Sequence, residues 1–107
     1  MLGGLIQTIV MVIISKGFLN QFIGKNPTAA KAVWKWYQEA KTADWGSFSE
    51  LKKTFGSADY AENGLVIFNV GGNKYRVIAR VIFRTRTLFI KFIGTHAQYN
   101  KVILSDL

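Results

Sequence analysis

Apolar and polar positions change period twice along this chain. Met11 to Ser15 is a short β-branched run, the pattern of a buried strand. Beyond Gly17 the spacing turns helical, with Leu19, Phe22 and Ile23 at i, i+3 and i+4. Asn26-Pro27 ends that stretch, because proline disfavours helical backbone in the residue before it. The same pair can open a second helix, with Asn26 as N-cap and Pro27 at the first helical position. There Ala30, Val33, Trp34 and Tyr37 form one apolar stripe, with Lys31, Lys35, Gln38 and Glu39 on other faces. Trp36 falls off the stripe and is expected at the surface or against a partner. Asp44 or Ser47 can cap a short third helix that buries Phe48, Leu51 and Phe55 and stops at Gly56-Ser57.

From Leu65 onward the period is two. Leu65 to Val70 reads as a strand, and Gly71-Gly72 suits a tight hairpin. Asn73 to Phe83 then alternates: Tyr75, Val77, Ala79, Val81 and Phe83 on one side, Lys74, Arg76, Ile78, Arg80, Ile82 and Arg84 on the other. Arg84 to Thr87 is read as a turn, and Leu88 to Ile93 as a last strand ending at Gly94. A strand, two to three helices and a small antiparallel sheet make an α+β domain with helices on one face. The other face, or its rim, is expected to present the arginines.

Charge sharpens this picture. The chain has 107 residues and a net charge of +8. Between Asn63 and Ser105 it has no carboxylate, but it carries Lys74, Arg76, Arg80, Arg84, Arg86, Lys91, Lys101 and the only histidine, His96. Cations without counter-charges call for a polyanion, of which nucleic acid is the commonest. The same gap removes a carboxylate pair for acid/base work and an Asp/Glu cage for Mg²⁺. Any phosphodiester cleavage here is therefore expected to need no metal or other cofactor. Cysteine is absent, so disulfides, thiolate zinc sites and a Cys nucleophile are excluded. No nucleotide-binding, zinc-protease or serine-hydrolase motif occurs, and Gly71-Gly72-Asn73 is better explained as a hairpin turn than as a phosphate loop.

The apolar start, MLGGLIQTIVMVII, lacks the basic segment of a secretory signal and is too short to span a bilayer. It reads either as a buried first strand or as an upstream extension of residues 1–10 before a natural start at Met11. The second reading makes residues 1–10 dispensable and 11–107 the functional domain.

RNA can be cut without metal when the ribose 2′-OH attacks the adjacent phosphorus. A base takes the 2′ proton, cations stabilise the phosphorane and an acid protonates the departing 5′ oxygen. His96 is the natural proton-transfer group, and three residues on, Tyr99 shares its side of a helix. Arg76, with Lys74, Arg80, Arg84 and Lys91, supplies the cations. Each also has a plain structural use: a lone histidine is often a surface residue, a tyrosine ring covers core, and an arginine row is often a solvated face.

The segments Phe68-Asn69-Val70-Gly71-Gly72-Asn73-Lys74-Tyr75-Arg76-Val77-Ile78 and Thr95-His96-Ala97-Gln98-Tyr99, with Trp36-Tyr37 through Trp45, Ser47-Phe48 and Leu51-Lys52, resemble the HigB family. These are RelE-like mRNA interferases of type II toxin–antitoxin systems. The likeness runs from about Met11 to Lys101 and begins at the strand Met11 to Lys16, which favours the extension reading of residues 1–10. It implies a RelE-like fold, cleavage of mRNA on the ribosome in the cytoplasm, translation arrest and neutralisation by a HigA-like helix-turn-helix antitoxin. By position, Arg76 matches the arginine that contacts the scissile phosphate. His96 falls where such toxins place a basic residue, and Tyr99 is nearest their C-terminal tyrosine. The paired lysines of RelE are replaced by Leu65-Val66-Ile67-Phe68, which leaves the general base unassigned. Two rival readings use the same residues: a noncatalytic RNA- or ribosome-binding module, and a membrane-surface protein anchored by the apolar start.

Overall fold

A computed structural model describes residues 10–107. The expectation that residues 1–10 are a dispensable extension falls, apart from Val10, outside the described residues. Five strands form one sheet in the order β1-β5-β4-β3-β2. They are β1 Val12–Ile14, β2 Asp59–Tyr60, β3 Leu65–Val70, β4 Tyr75–Ile82 and β5 Thr87–Thr95. β1 joins β5 in parallel and every other pair is antiparallel, so the α+β domain holds a mixed sheet. Helices α1 Lys16–Lys25, α2 Ala30–Lys41 and α3 Phe48–Thr54 come between β1 and β2, and the short α4 His96–Tyr99 follows β5.

Local chemistry sets the helix ends. The Ser15 hydroxyl accepts from the Gly17 N–H at 3.1 Å to start α1. Ser47, of the two candidates, caps α3 by accepting from the Glu50 N–H at 3.2 Å. Asp44 instead pairs with Arg86, 2.8 Å from its Nε. Asn26 departs from expectation. Its side-chain amide donates back to the Phe22 carbonyl at 3.1 Å and closes α1, making no cap bond to the 3-10 turn Pro27–Ala29 that leads into α2.

The core lies between the sheet and the helices. Trp36 is part of it, only 3% exposed, not the surface residue its phase suggested. The buried stripe of this helical region is Ala29, Val33, Trp36 and Ala40, while Trp34 and Tyr37 are half-buried beside it. The 3-10 turn contributes the fully buried Ala29, and the buried stripe shares only Val33 with the expected one. Trp36 meets Phe68 edge-on at 5.2 Å, and Phe55 links Phe68 (5.4 Å) to Trp45 (5.7 Å). Burying side chains of this size stabilises the fold by roughly 1.5–3 kcal/mol each.

Across β4 the alternation holds. Val77, Ala79 and Val81 face the helices, while Arg76, Ile78 and Arg80 face away. That second face is not an open row of arginines. Leu65 and Ile78 are fully buried there without belonging to the helix-side cluster. The chain after β5 covers them: α4 packs on β4 and β5, and the Leu107 carbonyl reaches Arg80.

Candidate functional site

Arg76 lies mid-sheet on the second face, opposite Asn69 on β3 and Gly94 on β5. It is 8% exposed, the only charged residue in the buried set. Its Nη1 donates to the Tyr75 carbonyl at 3.2 Å, and its guanidinium carbon sits 5.6 Å from the centre of the Tyr99 ring. A guanidinium has five N–H donors, and the ring face satisfies charge but accepts little. A buried cation without a carboxylate partner is costly unless an anion completes it.

Two residues that the sequence did not single out hold Tyr99 there. At Gly94 a Cβ would stand 2.5 Å from the Phe92 ring and 2.8 Å from Gln98 Oε1, so only glycine lets α4 settle beside Arg76. Gln98 and Thr95 form a capping box: Thr95 Oγ1 accepts from the Gln98 N–H at 3.2 Å, and Gln98 Oε1 accepts from the Thr95 N–H at 2.8 Å. The T-x-x-Q spacing was the available signal, but a four-residue helix shows no hydrophobic period to call attention to it. The His96 N–H also donates to the Lys74 carbonyl at 3.0 Å, pinning α4 to the hairpin. The rings of His96 and Tyr99 then meet edge-on at 6.4 Å, on one side of the helix as their spacing predicted. His96 is exposed and Tyr99 half-buried.

Arg76, His96 and Tyr99 thus come together, with the Lys74 backbone beside them; the other basic candidates do not. Arg80 is half-buried, its guanidinium engaged by the carbonyls of Asn63 and, at 3.5 Å, Leu107. These contacts tie the second face to the end of the chain. Arg84 stands in the turn Phe83–Thr85, eight residues from Arg76, or about 25 Å at the rise of a strand. Lys91 is the extra residue where the β4–β5 register shifts, between Ile90 and Phe92. It lines a separate cleft with Lys25, Phe18 and Phe22 of α1. Among the described residues no three His, Cys, Asp or Glu side chains gather to hold a metal ion.

Comparison with known proteins identifies the family. A family model described as the RelE-like toxic component of a toxin–antitoxin system, HigB_toxin, matches residues 29–102. The chain belongs to the HigB toxin family. It is 34% identical over 94 residues to "mRNA interferase HigB" of Escherichia coli O6:H1, an alignment covering 86% of this chain and 91% of that protein. It is 42% identical over 53 residues to "mRNA interferase toxin HigB" of Escherichia coli K12, covering 47% of this chain and 50% of that one. The family model's span takes in α2, the β3–β4 hairpin, β5 and α4.

Proposed function

We propose that this HigB-family chain is an mRNA endoribonuclease that arrests translation as the toxin of a toxin–antitoxin pair. The observation that carries the chemistry is the buried Arg76 guanidinium, with Tyr99 over it and His96 against Tyr99, in a stretch of chain without carboxylates. The 2′-oxygen attacks phosphorus, and His96 takes its proton as base. Arg76 stabilises the doubly charged phosphorane. The P–O5′ bond breaks, and the Tyr99 hydroxyl donates a proton to the leaving oxygen. The products are a 2′,3′-cyclic phosphate and a free 5′-hydroxyl, and no metal enters any step.

The ribosome supplies the messenger strand, the cell compartment is the cytoplasm, and a HigA-like helix-turn-helix protein is the antitoxin. Membrane attachment has no part in this reading. Among the described residues no helix is long and apolar enough to cross a bilayer. Induced expression followed by mapping of new RNA 5′ ends tests the proposal. Discrete new ends bearing 5′-hydroxyls, with growth arrest, are expected. Ribosome association without new ends would instead make the chain a noncatalytic RNA-binding module.

A further inference from the structure

Three lysines stand around one cleft on the opposite side of the hairpin from Arg76. Lys31 and Lys35, four residues apart on α2, are stacked one turn above the other. Lys74 faces them from the β3–β4 turn. The cleft holds about 370 Å³, and Ala32 and Tyr75 form its apolar floor. It depends on Gly71, whose φ is +66° and where a Cβ would stand 3.2 Å from the Tyr75 ring and 3.3 Å from the Ala32 methyl. A side chain there would push the turn off α2. All three lysines are exposed. No carboxylate lines the cleft; Glu39, one turn beyond Lys35, opens onto the neighbouring one. Among the described residues the one ion pair is Arg86–Asp44, well away from here.

Like charges one helical turn apart repel, and a third cation facing them adds to the repulsion. A chain of phosphates relieves it. An apolar floor with an aromatic ring and a cationic rim is also what a single strand needs, with bases against the floor and backbone on the rim. Lys74 belongs to both places, since its carbonyl anchors the His96 N–H while its side chain lines the cleft. We propose that this cleft is a second RNA-contact site, in which Lys31, Lys35 and Lys74 bind backbone phosphates of the same single strand that passes Arg76. RNA as the ligand rests on the ribonuclease reading above. The cleft's position makes the strand bend round the hairpin and leave along α2.

The test measures binding of the full chain to a single-stranded 2′-O-methyl RNA, which has no 2′-OH to attack and so stays intact. Fluorescence anisotropy would be followed across a salt series. Each single-strand phosphate contact contributes about 0.7 to the slope of log K against log salt. Replacing both Lys31→Ala and Lys35→Ala should weaken binding and reduce the slope by about 1.4. Lys31→Arg with Lys35→Arg should keep the parent slope, which separates charge from packing. An unchanged slope in the alanine pair, or no binding by the parent at low salt, overturns the proposal. Messenger cleavage by the unaltered chain is scored separately. Cleavage with an unchanged slope removes only the second site, and a reduced slope without cleavage removes only the ribonuclease reading.

Discussion

The two faces of the sheet are built by different rules. Toward the helices every inward position is apolar, and the contacts are aromatic edges and aliphatic packing among Trp36, Phe55, Phe68 and Val77. Away from them the same strands interleave Arg76 and Arg80 with Leu65 and Ile78, and the cover is the chain's own last segment. A helix layer seals the first face, and among the described residues the one buried side-chain polar atom without a hydrogen-bond partner, Trp36 Nε1, lies there. On the second, Arg80 finds backbone carbonyls, while Arg76 has one carbonyl and a tyrosine ring. The lesson is that two arginines four residues apart on one strand have separate surroundings. One is held by carbonyls of Asn63 and Leu107, and the other lies under the Tyr99 ring.

Substitutions should separate the faces. The largest effect is expected at Trp36, which the core cannot replace. Trp36→Ala should destabilise the fold by about 3–5 kcal/mol in denaturant titration, whatever it does to RNA. A loss below about 1 kcal/mol would place Trp36 outside the core after all. On the second face, His96→Ala and Tyr99→Phe should each slow messenger cleavage by about 10²-fold with little change in the denaturation midpoint. Cleavage within a few-fold of the parent in both would leave the cations as the sole catalysts. Removing residues 1–10 so that the chain starts at Met11 should leave both the fold and toxicity intact. Loss of the folded state would make that segment part of the core. The smallest effect belongs to the rim: Arg86→Ala breaks an exposed pair with Asp44 and should cost no more than about 1 kcal/mol.

These contrasts also mark how far the sequence could be read. Period and punctuation were enough for β3, the Gly71-Gly72 hairpin, β4 and the turn after it. The three-residue step from His96 to Tyr99 was enough to put both rings on one side of a helix. Trp36 was misplaced because this helical region carries two apolar stripes that share Val33, and period alone does not choose between them. The β2 strand has two residues, too few to show any period. Gly94 and Gln98 act through contacts across the β5–α4 junction, and a lone glycine or glutamine does not announce them. The arginine row looked uniform because alternation reports a face, not what covers it. The cover at Arg80 comes from Leu107, 27 residues away.

Arg76 decides the account. The central claim is that its buried guanidinium serves the phosphate and not the fold, so stability and cleavage should be measured on one preparation of Arg76→Ala. Arg76→Ala should remain folded while its messenger cleavage falls by roughly 10²–10³, the loss of about 2.7–4 kcal/mol of transition-state stabilisation. A folded Arg76→Ala variant that still cuts mRNA at the parent rate would contradict it.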